Sequence, residues 1–97
     1  MTKKKLIGKI VDNREKVRGY GVRKIGLFGS HARGDATAKS DVDILVEFKE
    51  KNFDNYMGLK FFLEALFKAK VDLVINSALK PQLRSSVLKQ VEYVKGI

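Results

Sequence analysis

The sequence predicts one small α/β domain, residues 1–97, in which helices pack on one face of a mixed β-sheet. The chain has 97 residues, which suits a single domain, and 44% of them are apolar, which is enough for a core. Apolar spacing alternates between helical and strand periods in the order helix, strand, strand, helix, strand, helix. The long helical connection between the second and third strands predicts that these two strands are parallel.

The N-terminal half predicts a helix, a strand and a short helical turn. Apolar residues recur at helical spacing from Lys5 to about Arg18, and a glycine-rich break follows. The Lys-rich start of this helix is expected to fray, because cations oppose the helix dipole there. Val22–Phe28 is predicted to be the first strand, ended by Gly29, and Ser30–Gly34 to be one helical turn.

The C-terminal half repeats strand and helix patterns after a polar loop. Leu83, Val87 and Val91 are expected to face inward from the last helix, because they recur at helical spacing. Val91–Val94 is alternatively a short edge strand. The predicted elements are a strand at Asp41–Phe48, a helix capped by Asp54 and running to about Lys68, a strand at Val71–Ile75, and a helix starting near Pro81.

The composition limits the classes of partner and compartment. The formal net charge of +9 attracts polyanions, but fifteen of the twenty basic residues are Lys and five are Arg, which favours a solvated surface over a dedicated nucleic-acid interface. The chain has no cysteine, so disulfides and thiolate metal sites are excluded. It shows no secretory signal and no membrane-length apolar run, so we expect a cytoplasmic protein with no membrane partner.

Two aspartates in the second strand are the main candidate functional residues. Asp41 and Asp43 lie on the face opposite its apolar side chains, and Asp72 has the matching position in the third strand. If the two strands are neighbours, three carboxylates meet, and their repulsion calls for a cation. Mg²⁺ prefers such oxygen ligands, and two ions roughly 3.5–4 Å apart suit phosphoryl transfer. The alternative is a polar, solvent-facing strand.

A glycine-serine turn lies upstream of these aspartates. At Gly29 and Ser30 the backbone N–H groups and a hydroxyl could hold a phosphate, although most such turns are only turns. Arg33 either reaches a triphosphate or is an ordinary surface arginine. Ser40 either caps its loop or orients Asp41 and the nucleotide.

The spacing of Gly29-Ser30, ten residues, then Asp41-Val42-Asp43 resembles the nucleotidyltransferase superfamily that includes DNA polymerase β. Within it, GSHARGDATAKSDVDILVEF, KVDLVI and LKPQLRSSVLKQVEYV resemble the minimal nucleotidyltransferases, or MNT family. The resemblance implies a nucleotidyltransferase core in which Gly29 and Ser30 hold the triphosphate. It also implies that Asp41 and Asp43 bind both magnesium ions, while Asp72 binds the catalytic ion and helps to deprotonate the acceptor.

The same resemblance implies a reaction and a partner. The family moves a nucleoside monophosphate from a triphosphate to a hydroxyl, and MNT proteins resemble antitoxins that transfer AMP from ATP to a tyrosine of a HEPN-domain ribonuclease toxin. One alternative is a non-catalytic module that masks an acidic partner. A second is an aminoglycoside-like small-molecule acceptor, which the lack of an acceptor-binding domain disfavours. Direct binding of DNA or RNA ranks lower, and His31 is expected to be a solvated loop residue.

Overall fold

The computed structural model describes all 97 residues, and its elements follow the predicted order. None of its helices has the length and apolar character needed to cross a membrane. The helices are α1 (Lys3–Asp12), α2 (Arg14–Gly19), α3 (Ser30–Arg33), α4 (Phe53–Phe67) and α5 (Pro81–Gln90), with a 3₁₀ turn at Asn76–Ala78. The strands are β1 (Val22–Phe28), β2 (Val42–Phe48), β3 (Val71–Ile75) and β4 (Glu92–Tyr93).

The four strands form one mixed sheet in the order β3-β2-β1-β4. Strand β1 pairs antiparallel with both β2 and β4, whereas β2 and β3 are parallel, as the long helical connection predicted. The parallel pairing arises because α4 returns the chain to the starting end of the sheet. The mixed α/β fold is therefore confirmed, and so is the alternative that residues near Val91 form a short edge strand.

The main core lies between one face of the sheet and helices α1, α2 and α4. Alternation along β1 and β2 places branched aliphatic side chains on this face, and apolar residues at helical spacing meet them. The fully buried members are Leu6, Ile10, Val17, Ile25, Leu27, Ile44, Val46, Leu59 and Leu63. The core fixes the register of β2, so its aspartates must lie on the other face.

The N-terminal helix differs from the prediction in two ways. It is split in two at Asn13, whose backbone N–H donates to the carbonyls of Ile10 and Val11 and ends α1. Its first turn is also formed, because Thr2 Oγ1 accepts a hydrogen bond from the Lys5 N–H over 3.2 Å. This N-cap satisfies the Lys5 N–H and so stabilises the helix end that was expected to fray beside the lysines.

The cap of α4 is Asn52 rather than the predicted Asp54. Asn52 Oδ1 accepts from the Asn55 N–H over 2.8 Å, and Asp54 lies within the first turn. We therefore expect Asn52→Ala to lower the free energy of unfolding by about 1 kcal/mol in urea denaturation. The matched change Asp54→Ala should cost only a few tenths of a kcal/mol, because it removes a dipole interaction alone. A larger loss for Asp54→Ala would contradict this assignment.

Helix α5 packs less closely than its pattern predicted. The prediction that Leu83 faces inward is wrong: the residue is 52% exposed, and α5 contains no buried residue. Val91, which ends this helix, lies 2.6 Å from the point that a Cβ on Gly26 would occupy. Gly26 pairs with Leu45, whose side chain is not part of the main core. The C-terminal end of α5 thus reaches the sheet face that carries the aspartates.

Candidate active site

The register of β2 and β3 brings two of the three predicted carboxylates together. Asp43 and Asp72 are direct partners across the parallel pair, and Phe28 lies opposite Asp43 on the other side. Adjacent strands are about 4.8 Å apart, so the two carboxylates share one end of the sheet face. Asp41 lies just before β2 and is exposed.

The charges around Asp43 show how closely these groups interact. Partial burial raises the pKa of Asp43 above its usual range, and the charges of Asp72 and Asp41 raise it further. The charges of His31 and Arg33 act in the opposite direction. All three predicted carboxylates therefore belong to one electrostatic cluster, which favours the approach of a cation.

The donor chemistry of this cluster fits Mg²⁺. Its side chains offer hard carboxylate oxygens, and their mutual repulsion is the kind that a divalent ion relieves. The side chains of Asp41, Asp43 and Asp72 do not close around a common point, since no group of three His, Asp or Glu residues lies at metal-binding spacing. Asp43 and Asp72 are thus the pair around which an ion site would be built.

The raised pKa predicts how stability depends on pH in the absence of divalent ions. Ionised Asp43 destabilises the fold, so its penalty is fully present above the folded-state pKa and is lost as the pH falls through that value toward 3.8. Asp43→Asn should therefore have a higher Tm than the wild type at pH 7. The difference should shrink in acid, as thermal unfolding over a pH series would show. A pH-independent difference would contradict it.

Gly29 brings the turn between β1 and α3 against Asp43. Its φ of 75° and ψ of −153° belong to a region used almost only by glycine. A Cβ at this position would also overlap Asp43 Oδ2 and lie 2.8 Å from its Cγ. Ser30 follows as the first residue of α3, and the carbonyl of Gly29 accepts from the Arg33 N–H over 3.0 Å. The turn that predicts phosphate binding is thus next to the carboxylates.

Arg33 is held between two elements. Its Nε donates to Asp35 Oδ2 over 3.2 Å, and its Nη1 donates to Gln90 Oε1 over 3.1 Å. Its side chain is 48% exposed and close enough for its charge to lower the pKa of Asp43. Arg33 therefore links the glycine-serine turn to the end of α5 while keeping a solvent-facing guanidinium.

Ser40 closes the loop before β2. Its Oγ accepts from the Thr37 N–H over 2.9 Å, and the Ser40 N–H donates to the Thr37 carbonyl over 3.0 Å. This is the loop-capping role that the sequence offered as one of two alternatives. Since Asp41 is the next residue, these hydrogen bonds also help to position its backbone.

Two residues near the site were not predicted. His31 was expected to be solvated, but it is 7% exposed and its Nδ1 has no hydrogen-bond partner. The expectation failed because α3 turns its second residue inward. Tyr56 donates from its hydroxyl to the Leu73 carbonyl over 2.7 Å, and burial, with the charge of Asp72, raises its pKa. No sequence pattern around Tyr56 predicts this contact with β3.

Comparison with known proteins agrees with this geometry. Residues 5–94 match the family model described as a nucleotidyltransferase domain. The protein adenylyltransferase MntA of Thermococcus cleftensis is 49% identical over 76 residues, which cover 77% of each chain.

Solved structures give the same result. The structure of a minimal nucleotidyltransferase superposes with a TM-score of 0.82 at 33% identity and covers 95% of both chains. A toxin–antitoxin complex with AMP-PNP superposes with a TM-score of 0.74 at 26% identity, covering 94% of this chain and 73% of that one. The chain therefore belongs to the nucleotidyltransferase domain family, as one of its minimal nucleotidyltransferases.

Proposed function

We propose that this nucleotidyltransferase is a Mg²⁺-dependent antitoxin that transfers AMP from ATP to a tyrosine of a HEPN-domain toxin in the cytoplasm. The observation that carries the proposal is the register that places Asp43 beside Asp72, next to the Gly29 turn. The naming of the Thermococcus relative as a protein adenylyltransferase supports the protein acceptor. The solved toxin–antitoxin complex with AMP-PNP supports ATP and a toxin partner.

The proposed roles are those that the resemblance to the family implies. Asp41 and Asp43 would together bind both magnesium ions. Asp72 would also bind one of these two ions, the catalytic one. When bound, the ions supply positive charge that offsets the phosphates and carboxylates. Gly29 and Ser30 would hold the triphosphate through backbone N–H groups and the Ser30 hydroxyl.

The chemistry of the transfer assigns a further role to Asp72. The phenolic oxygen attacks the α-phosphorus of ATP, the bond to the bridging oxygen breaks, and pyrophosphate leaves. Asp72 accepts the phenolic proton as the new bond forms. Arg33 would approach the released phosphates, and Ser40 would hold Asp41 in place.

A second candidate function is a binding module that neutralises its partner without chemistry. The observation that favours it is the charge: once the three site aspartates are set aside, eight acids remain against twenty bases, or 20 − 8 = +12. Such a surface binds an acidic partner whether or not ATP is present. Transfer to an aminoglycoside-like small molecule has no such support in the structure.

The test captures partners on the tagged full chain from a lysate of its source organism. Mg·ATP is then added, and intact masses are compared with and without it. We expect a captured protein to gain the mass of AMP, at a tyrosine, with the wild type and with Asp12→Asn, an exposed control outside the site. Asp43→Asn should give no gain. A stable partner of unchanged mass would favour the binding module.

A further inference from the structure

A cavity of about 300 Å³ lies at the other end of β2 and β3 from the carboxylates. Glu47, which lines it, is four residues after Asp43 on the same face of β2. Asn76, which also lines it, follows β3 and is four residues after Asp72. Four strand residues span about 13 Å, so the cavity and the candidate active site are a short peptide length apart.

The charges that line this cavity are not balanced. Arg23 Nη1 lies 3.6 Å from Glu47 Oε1, so these two charges pair. Lys51 and Arg84 also line the cavity, and neither forms a salt bridge. Arg84 Nη1 makes only a long contact of 3.4 Å with the Asn76 carbonyl. Two cations are therefore free to receive one anionic group.

The position of the cavity suits a carboxylate that is carried on a polypeptide. If an acidic side chain of an extended chain occupied the cavity, residues a few positions along that chain would reach Asp43 and Asp72, because about four strand residues separate the two places. A free carboxylate would make the same contacts with the two cations but would bring no acceptor hydroxyl with it.

We propose that this cavity binds an acidic side chain of the acceptor protein and so positions its hydroxyl at Asp43 and Asp72. This rests on the proposed function, because the bound polypeptide is the one that receives AMP. Helix α5 connects the two ends: Arg84 lies at the cavity, and Gln90 contacts Arg33 beside the glycine-serine turn. These six residues rise about 9 Å along the helix, a reach comparable to a few extended residues of acceptor.

The net charge argues against a second copy of this chain as the occupant. Each copy carries +9, so two copies repel, whereas an acidic acceptor is attracted. The two free cations suit one carboxylate group better than a run of phosphates. The occupant favoured by the cavity is therefore an acidic segment of another protein.

The test measures binding directly, without ATP. The probe is a fluorescein-labelled octapeptide of alternating Gly and Glu, followed by fluorescence anisotropy with the full chain. We expect Arg84→Glu and Lys51→Glu each to weaken binding at least about tenfold, since each replaces an attraction by a repulsion. Lys89→Glu makes the same charge change at an exposed position of α5 outside the cavity, and it should alter the Kd less than about twofold.

A second measurement tests whether the peptide occupies the cavity. The wild-type amide signals of Asn76 and Ser77 should shift in NMR spectra when the peptide is added. Equal weakening by Lys89→Glu, or no binding of the peptide, would overturn the proposal. So would inorganic phosphate or an eight-nucleotide RNA that displaces the peptide and depends on the same residues.

The acceptor role has its own readout. With a captured acceptor, Arg84→Glu should raise the KM for that protein about tenfold or more, with the KM for ATP and the kcat unchanged. If the wild type transfers AMP and Arg84→Glu does so with an unchanged KM, the docking role is wrong and the proposed function stands. If no partner receives AMP while the peptide still binds through Arg84, the proposed function fails and the acidic-peptide site remains.

Discussion

Asp43→Asn is expected to reduce AMP transfer by about 10³-fold or more. The amide cannot carry the negative charge that a divalent ion requires, and a lost metal contributes several kcal/mol to the barrier. The measurement is the initial rate of AMP incorporation into the captured partner at saturating Mg·ATP. Because ionised Asp43 destabilises the fold, Asp43→Asn should remain folded. A lower rate of AMP transfer would then not be the result of unfolding.

The control for this result shows whether the loss of activity depends on a charge at the site or on the net charge of the protein. Asp12→Asn removes the same charge from an exposed position on α1 and should leave the rate unchanged. Mg²⁺ should raise the Tm of the wild type and of Asp12→Asn, but raise that of Asp43→Asn much less. Undiminished transfer by Asp43→Asn would contradict the assigned role of the carboxylates, even if binding of the partner persists.

The sequence was sufficient to predict the carboxylate pair because two periodic patterns determine it. Alternation along β2 and β3 selects the face, and the long helical connection makes the strands parallel. Burial of Val42 and Val71 in the core puts Asp43 and Asp72 on the opposite face, and the observed register makes them neighbours. Tertiary packing supports this register, so local reasoning succeeds.

The features that escaped prediction depend on elements without a strong pattern. Helix α5 has no buried residue, so the spacing of Leu83, Val87 and Val91 could not show how it lies on the sheet. His31 is in a helix of four residues, too short for periodicity to show which side is buried. The cavity near Arg84 joins residues from five separate segments, and no spacing in the sequence brings them together.

The second large effect is expected at Gly29. Gly29→Ala should lower the free energy of unfolding by about 3 kcal/mol or more, because it combines a glycine-only conformation with a clash against Asp43. It should also reduce AMP transfer, since relief of the clash moves either the turn or the carboxylate. Gly34→Ala is the matched control, because Gly34 has a φ of 89° but no atom of a non-adjacent residue lies within 4 Å of the point that its Cβ would occupy. That change should cost about 1–2 kcal/mol.

A double-mutant cycle shows whether the Gly29 effect passes through Asp43. The two atoms that an alanine at position 29 would overlap most are Oδ2 and Cγ of Asp43; both are absent in Asp43→Ala, which leaves only the Cβ of residue 43, at 3.1 Å. The stability cost of Gly29→Ala should therefore be smaller in the Asp43→Ala background, leaving mainly the backbone strain. Gly34→Ala should cost the same in both backgrounds. If Gly29→Ala also costs the same in both, the glycine acts through its backbone conformation alone, and the close approach of the turn to the carboxylate is not what requires it.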